Sequence, residues 1–332
     1  MSTFRLFTIL LASATVTVHA LSKPLALSKP PAGAITVGPT GSGAQYTDLN
    51  VALNDTSSNV FFVFSGTWTT QIAISRANVT IFGQTHTAKR LKALGCDASS
   101  YEANTVTFTN NIPASAAGSN DKSGTVRVLA EGVKLYNLNI ANTYGKPVDQ
   151  AQAIALSVQK GKFGCYGCKL TGDQDTLLAN TGTQFYAKSF IQGHVDFIFG
   201  RSGSIWITNS VIDQFGDGYF TASGRQTDDA NWYVIDNSVV QGNGTSYLGR
   251  PWGAFARVVY QNSNIGSAVP AVGWSIWNVG DERTSNVTFA EFNNTGPGAW
   301  NEQRASFATL LTAPIDILTV LNSTSWIDPA FL

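Results

Sequence analysis

Four polar side chains recur at a nearly constant interval in the sequence, and together they could carry out acid–base and nucleophilic chemistry. Gln152 and Gln174 are 22 positions apart, as are Gln174 and Asp196, while Asp175 precedes Asp196 by 21. If one structural repeat takes that many residues, these side chains lie on neighbouring turns of the chain, about 4.8 Å apart. Two carboxyl groups at that distance do not both ionise readily, so the pKa of one rises. The pattern indicates a protonated acid beside a carboxylate nucleophile or base, with two amides suited to a developing oxyanion.

A second segment, Leu248-Gly249-Arg250-Pro251-Trp252, adds a guanidinium and an indole. Arg250 could hold the ionised carboxylate through two parallel hydrogen bonds, which would fix its orientation and lower its pKa. Trp252 offers a flat face on which a sugar ring could stack. Each residue also has a simpler interpretation, because Arg250 could form a surface ion pair, and Trp252 and Phe199 could be core aromatics.

The elements that must position these residues are short strands. From Val60 to about Val269, β-type runs alternate with Gly, Asn and Asp, and the only plausible helices are short, at 46–53 and 302–311. Similar segments begin at Cys168, Ser189, Asn209 and Asn237, and their starts lie 21, 20 and 28 positions apart. A β-sandwich has turns every 8–12 residues or so. The longer period therefore predicts an all-β solenoid, a parallel β-helix of stacked coils with short terminal helices.

Long stretches of the sequence resemble the signature motifs of pectin methylesterases. The central motifs are Gln174-Asp175-Thr176-Leu177, Gly193-His194-Val195-Asp196-Phe197-Ile198-Phe199-Gly200 and Leu248-Gly249-Arg250-Pro251-Trp252. The flanking motifs are Gly43-Ala44-Gln45-Tyr46-Thr47-Asp48-Leu49 and Asn294-Thr295-Gly296-Pro297-Gly298-Ala299. The resemblance covers roughly residues 32–330, in order. It implies a right-handed parallel β-helix that removes methyl groups from galacturonate esters.

The same resemblance implies a role for each site residue. Asp196 would attack the ester carbonyl, and Asp175 would protonate the leaving methanol and then activate water. Gln152 and Gln174 would line the oxyanion hole, and Arg250 would hold Asp196. The expected partner is methyl-esterified polygalacturonate, and Trp252 and Phe199 would contact its sugars.

Composition narrows the classes of function. The 332-residue chain has 21 basic and 21 acidic residues, a net charge of +0 and only 13% charged residues, which argues against nucleic acid as a partner. The sequence has no Gly-x-Ser-x-Gly elbow, so a Ser-His-Asp esterase is disfavoured. It has neither His-Glu-x-x-His nor a dense carboxylate cluster, so we expect no metal and no cofactor. We also expect a monomer.

The N-terminus predicts export. Residues 1–20 have the pattern of a signal peptide, and residues 21–31, which contain the repeat Leu-Ser-Lys-Pro, form a Pro-rich linker or propeptide. Residues 32–332 would be a single catalytic domain. No later apolar run is long enough to form a transmembrane helix, so we expect a secreted protein without membrane association.

Six Asn-x-Thr sequons are candidate glycosylation sites: Asn54, Asn78, Asn243, Asn286, Asn293 and Asn322. Three cysteines, Cys96, Cys165 and Cys168, allow at most one disulfide, and the sequence leaves open which two are bridged.

Two other classes remain as alternatives. A polygalacturonase-type glycosidase can use the same fold and also places aspartates on adjacent coils. It should have a further aspartate pair on the same face, for which Asp228 and Asp229 are the candidates in the sequence. The other alternative is a non-catalytic carbohydrate-binding β-solenoid, which would tolerate the loss of Asp175 or Asp196.

Overall fold

The computed structural model describes residues 27–332. The predicted signal peptide and the first part of the predicted linker lie outside the described residues. The strands are, in chain order, β1 (Ile35–Val37), β2 (Val60–Val63), β3 (Gly66–Thr69), β4 (Ile72–Ile74), β5 (Thr80–Gly83), β6 (Val106–Asn110), β7 (Val126–Val128), β8 (Lys134–Tyr136), β9 (Leu138–Asn142), β10 (Leu156–Val158), β11 (Phe163–Tyr166), β12 (Lys169–Thr171), β13 (Leu177–Ala179), β14 (Thr181–Ala187), β15 (Phe190–Gly200), β16 (Ser202–Thr208), β17 (Val211–Ser223), β18 (Tyr233–Asp236), β19 (Val239–Gly242), β20 (Ser246–Gly249), β21 (Arg257–Gln261), β22 (Asn264–Ile265), β23 (Thr288–Phe292) and β24 (Ala308–Leu310).

These strands form three parallel ladders that run the length of the molecule. The first ladder has eleven strands in the order β1-β2-β5-β8-β11-β14-β16-β18-β21-β23-β24. The second follows β3-β6-β9-β12-β15-β17-β19-β22, and the third follows β4-β7-β10-β13-β15-β17-β20. The long strands β15 and β17 belong to both of these ladders. The predicted right-handed parallel β-helix is confirmed.

The core consists of apolar side chains stacked from coil to coil. In the third ladder Val126, Leu156, Leu177 and Ile198 occupy equivalent positions, each no more than 2% exposed. Fully burying an aliphatic side chain of this size contributes about 1.5–3 kcal/mol. The stack fixes the register, because a slip of one residue would turn every one of these side chains outward.

Sharp bends separate the first ladder from the second. Four of the strands predicted as continuous are therefore each two strands in the structure: 133–140, 185–191, 204–212 and 232–240. A single residue with left-handed backbone stands at each of these bends: Asn137 (φ 53°), Lys188 (50°), Asn209 (49°) and Asn237 (44°). Asn adopts this conformation more readily than most residues, which explains its frequency between the strands.

Hydroxyl groups form a ladder directly after these bends. The backbone N–H of Cys168 donates to the Ser189 hydroxyl at 3.1 Å, and that of Ser189 donates to Ser210 at 3.0 Å. The series continues from Ser210 to Ser238 at 3.2 Å and from Ser238 to Ser263 at 3.1 Å. The partners are 21, 21, 28 and 25 residues apart, so the predicted period of 20 to 28 residues is the length of one coil.

Helices are short and peripheral. The first lies inside the predicted helix 46–53, where the Asp48 side chain caps it by accepting from the N–H of Asn50. The helices are α1 (Leu49–Ala52), α2 (Ala88–Leu94), α3 (Ala114–Ala117), α4 (Asn120–Ser123) and α5 (Ile317–Leu321), with 3₁₀ turns at Tyr101–Ala103 and Pro329–Phe331. None of the described helices is long and apolar enough to cross a bilayer.

The predicted helix at 302–311 is wrong. Its second half is strand β24, which extends the first ladder by pairing with β23. Arg304 is buried against Glu291, and the Phe307 ring lies 6.3 Å from that of Phe289. These tertiary contacts draw the segment onto the last coil and override its helical pattern.

A disulfide joins Cys165 and Cys168 across the bend after β11. Both residues are fully buried. Within residues 27–332, Cys96 is the free cysteine, and it is half-buried. The pairing left open by the sequence is thus the local one.

Candidate active site

Asp175 and Asp196 lie side by side on adjacent coils, each in a strained backbone conformation. Asp175 precedes β13 and has a φ of 69°, while Asp196 lies within β15 and has a φ of 53°. Beyond them, Leu177 pairs with Ile198 in ordinary register. The ladder between β15 and β17 is irregular on both sides of Val195. Left-handed backbone at a residue other than glycine costs about 1–3 kcal/mol and persists where the surroundings enforce it, often at functional sites.

One surface cavity brings together all seven site residues that the sequence predicts. Gln152, Gln174, Asp175, Asp196, Phe199, Arg250 and Trp252 line it, together with Asn120, Gln150, Ala222, Trp277 and Asn278. Most of these residues lie in or beside five successive strands of the third ladder, β10, β13, β15, β17 and β20, and the rest come from segments outside that ladder. The nearly constant spacing in the sequence therefore does place the two amides and the two carboxyl groups on one face.

Arg250 and Asp196 form a bidentate ion pair. Nε of Arg250 donates to Oδ1 of Asp196 at 2.9 Å, and Nη2 donates to Oδ2 at 2.7 Å. The guanidinium carbon lies 4.4 Å from the centre of the Trp277 ring, within cation–π distance. The side chain of Asp196 is 10% exposed and that of Arg250 is 16% exposed, so this is a largely desolvated pair and not the surface ion pair considered as an alternative.

The two carboxyl groups differ in their tendency to ionise. Burial raises the pKa of Asp175 well above its usual range, and the negative charge of Asp196 raises it further. The positive charges of Arg250 and Lys146 only partly oppose that rise. Burial also raises the pKa of Asp196, but there the hydrogen bonds and the charge of Arg250 act in the opposite direction. Asp196 therefore ionises first, and Asp175 keeps its proton to higher pH.

The two glutamine amides are held differently. Oε1 of Gln174 accepts from the backbone N–H of Ala151 at 3.1 Å and from Nζ of Lys146 at 3.1 Å. Gln152 donates through Nε2 to Oε1 of Gln150 at 2.6 Å, which leaves its second amide hydrogen for another acceptor. Both amides can thus present an N–H to a group bound in the cavity.

The aromatic residues divide between core and cleft. Phe199 is only 3% exposed and packs with Ile154, Leu178 and Ala222, so most of its ring belongs to the core. Trp252 is half-buried and lies against Phe199, with the ring centres 6.0 Å apart. Trp252 is therefore the aromatic surface at this wall of the cavity, and Phe199 supports it from beneath.

Sequence reasoning missed several residues around the carboxyl groups. Nδ2 of Asn120, the first residue of α4, donates to Oδ2 of Asp175 at 3.3 Å, although 55 positions separate the two residues. Lys146 reaches the site from the segment between β9 and β10. Neither follows the coil spacing, so the period carries no signal for them. Trp277 also lines the cavity, and nothing in the sequence distinguishes it from the other tryptophans.

The residues that other chemistries would need lie elsewhere. Asp228 and Asp229 bond to Arg225, and Asp228 also bonds to Arg257, so this pair forms an ion-pair network outside the cavity. The aspartate pair that a polygalacturonase-type glycosidase would require is therefore not on the face that holds Asp175 and Asp196. Within residues 27–332 there is no group of three or more His, Cys, Asp or Glu side chains that could hold a metal ion.

Comparison with known proteins gives one consistent family. The family model described as Pectinesterase matches residues 101–317. Probable pectinesterase A of Aspergillus niger is 39% identical over 91% of this chain and 90% of its own length. A pectinesterase of Aspergillus aculeatus is also 39% identical, over 97% of this chain and 98% of its own. The crystal structure of a pectin methylesterase from Aspergillus niger superposes with a TM-score of 0.81 at 38% identity, covering 92% of this chain and 98% of that one. A carrot pectin methylesterase shares the fold, with a TM-score of 0.78 at 22% identity.

Proposed function

Because the chain belongs to the pectinesterase family and removes methyl esters from pectin, we propose that the cavity around Asp175 and Asp196 is where this reaction takes place. The overall reaction consumes one water and converts each methyl galacturonate unit to a carboxylic acid and methanol. The single observation that carries the proposal is the pairing of an arginine-bound carboxylate, Asp196, with a neighbouring buried carboxyl group, Asp175, whose pKa burial and the charge of Asp196 raise.

Asp196 is the nucleophile. Its carboxylate oxygen forms a bond to the ester carbonyl carbon, and the carbonyl electron pair moves onto oxygen to give a tetrahedral oxyanion. Amide N–H groups of Gln174 and Gln152 donate to that oxyanion, whose charge is greater than that of the ground-state carbonyl. Arg250 keeps Asp196 ionised and oriented before the attack.

Asp175 is the general acid and then the general base. It gives its proton to the methoxy oxygen as the C–O bond breaks, which releases methanol and leaves an acyl-enzyme anhydride on Asp196. The ionised Asp175 next takes a proton from water, which attacks the acyl carbonyl. Collapse of the second tetrahedral intermediate frees Asp196 and the product acid, and Asp175 is protonated again.

Trp252 is the sugar-stacking surface, and it binds the galacturonate ring beside the reacting ester. Phe199 contributes through the edge of its ring and by supporting Trp252. The occupant of the cleft is a methyl-esterified polygalacturonate chain. The protein acts as a monomer, without nucleic acid or membrane as a partner.

The protein is secreted and processed before it acts. Residues 1–20 serve as the signal peptide, residues 21–31 as a linker or propeptide, and residues 32–332 as one catalytic domain. All six sequon asparagines are exposed, which is a requirement for glycosylation. Support also comes from the Aspergillus niger enzyme, whose crystal structure carries an N-acetylglucosamine stub. Intact mass and N-terminal sequencing of the exported protein test these assignments.

The experiment that tests the proposed mechanism measures methanol and new reducing ends from highly methylated pectin. We expect methanol in proportion to the acid formed and no increase in reducing ends, whereas a glycosidase would produce the reverse. Asp196→Asn preserves shape but is a poor nucleophile, so turnover should be lost while the protein remains folded, with a lower melting temperature because Arg250 loses its charged partner. Activity of Asp196→Asn above a few percent of wild type would overturn the covalent role of Asp196. Asp213→Asn, on the coil face away from the cavity, is the matched control.

A further inference from the structure

Lys146 is held in an unusual position for a lysine in an irregular segment. Its ammonium group donates to Oε1 of Gln174 at 3.1 Å, to the carbonyl of Val148 at 3.4 Å and to the carbonyl of Asp149. All three hydrogens of the ammonium thus have an acceptor within the protein. The side chain is half-buried and points to the inside of the segment that joins β9 and β10, beside the cavity.

The acceptor end of Gln174 is consequently doubly occupied. The backbone N–H of Ala151 and the ammonium of Lys146 both donate to Oε1, each at 3.1 Å. If the amide were flipped, its NH₂ group would face two donors, so the flipped orientation is excluded. Nε2 has no hydrogen-bond partner among residues 27–332, and Gln174 lines the cavity while being only 6% exposed. The free N–H groups are therefore the ones available to a bound substrate.

We propose that Lys146 is a positioning residue that acts through Gln174, fixing the direction of its amide and strengthening its N–H groups as oxyanion donors. This inference rests on the proposed role of Gln174 in the oxyanion hole. A cation at the carbonyl end of an amide draws electron density toward that oxygen. The N–H groups become more positive, as in any chain of polarised hydrogen bonds at low dielectric. The effect is largest when negative charge develops opposite them.

The alternative for a lysine beside a polyuronate cleft is direct binding of a substrate carboxylate. The geometry argues against it, because the ammonium is already engaged by three acceptors. The two roles also differ kinetically. A group that binds the ground state and the transition state equally changes KM, whereas one that acts on the oxyanion changes kcat.

The first test replaces the ammonium with an apolar group of similar length. Lys146→Met should lower kcat about tenfold, since loss of a whole oxyanion donor costs about 10²–10³ and here the donor remains but is weakened. KM should change less than twofold. Lys146→Arg, which keeps the charge and the donors, should stay within about threefold of wild type. Lys160→Met, at an exposed lysine, is the control. A raised KM with unchanged kcat in Lys146→Met would overturn the proposal in favour of substrate binding.

The second test asks whether Lys146 acts through Gln174. Each variant is measured at its own pH optimum, and melting temperature shows that it is folded. In a Gln174→Ala background, Lys146→Met should have no more than a twofold further effect on kcat. If its full tenfold effect persists there, Lys146 does not act through Gln174 and the inference is wrong. If Gln174→Ala itself leaves kcat intact, the oxyanion role proposed for Gln174 has failed instead, which separates the two conclusions.

Discussion

The guanidinium carbon of Arg250 lies 4.0 Å from the centre of the Tyr219 ring. Trp277 provides a second ring at 4.4 Å, so the plane of the guanidinium is packed while its nitrogen edge remains directed at Asp196. Arginine suits this place because its planar fork can stack and bond two carboxylate oxygens together. A lysine ammonium has no planar fork and could not do both at once.

Arg250→Lys should therefore impair activity although the charge is kept. Loss of one charge-assisted hydrogen bond costs about 1.5–3 kcal/mol, which corresponds to roughly a ten- to hundredfold decrease in kcat/KM. The measurement is initial methanol release at pH values across the activity range. Arg201→Lys, at a cation that lies over Trp252 but does not contact Asp196, is the matched control. Near-wild-type activity of Arg250→Lys would show that a positive charge alone suffices.

Asp175→Asn should inactivate the enzyme and make it more stable at neutral pH. The folded-state pKa of Asp175 is raised above its ordinary value of 3.8, so ionising it is harder in the folded protein than in the unfolded chain. Asp175 therefore lowers the stability of wild type as the pH rises from below 3.8 through its folded-state pKa, and this contribution is absent from the variant. The difference in melting temperature should be near zero at the acid end and grow in favour of Asp175→Asn toward pH 7.

The matched control for this experiment is Asp149→Asn, at an exposed carboxylate beside the same cleft. It leaves the two buried carboxyl groups in place, so its melting temperature should stay close to that of wild type. A melting-temperature advantage of Asp175→Asn that shrinks toward neutral pH would contradict the assignment of Asp175 as the buried acid.

Gln152→Ala should lower kcat by about 10²–10³ and leave KM and melting temperature nearly unchanged. The amide lies at the cavity surface and contributes little packing, and its one hydrogen bond among the described side chains goes to Gln150. Gln150→Ala is therefore the informative companion, because it tests whether that contact orients Gln152. A raised KM with intact kcat in Gln152→Ala would mean that this amide holds the sugar.

Glu291→Gln should lower stability strongly. Glu291 is fully buried, bonds to Arg304 at 2.8 and 3.0 Å, and accepts from the indole of Trp274 at 3.1 Å. Removing one partner of a buried pair leaves the other charge uncompensated, at a cost of about 3–5 kcal/mol. In a chain of this size we expect a melting temperature lower by roughly 10 °C, measured by calorimetry. Glu302→Gln, at an exposed carboxylate, should have almost no effect, and an equal decrease there would refute the explanation.

The sequence predicted the repeating parts of the molecule well. The two glutamines and two aspartates could be placed on one face because a parallel β-helix converts a constant spacing into a column of side chains. Strand boundaries were less predictable, since single residues such as Asn137 and Lys188 break runs that are uniformly apolar or β-branched. A positive φ at an Asn or Lys leaves little trace in hydrophobic periodicity.

The residues that were missed lie outside the repeat. Asn120 and Lys146 belong to segments inserted between strands, and their contacts with Asp175 and Gln174 depend on how those segments fold back. Trp274 and Trp277 also show that sequence alone does not reveal which residues reach the site. They are three positions apart and equally aromatic, yet one is buried on Glu291 and the other faces Arg250. Only tertiary structure distinguishes them.

The serine ladder at the bends has an evolutionary consequence. The coil from Ser210 to Ser238 is 28 residues long and the one before it is 21, yet both close with the same hydrogen bond. Two of the seven extra residues lie in the irregular middle of β17. There the sequence separation between paired residues of β15 and β17 grows from 21 at Val211 to 23 at Thr221. The other five lie between Ser223 and Tyr233, so that Tyr233 pairs with Ile205, 28 positions earlier. Gly224, at the start of this segment, lies against the Trp252 ring. Insertions and deletions in this segment can thus change what packs behind Trp252, at one wall of the cleft, while the serine hydrogen bonds keep the coils in register.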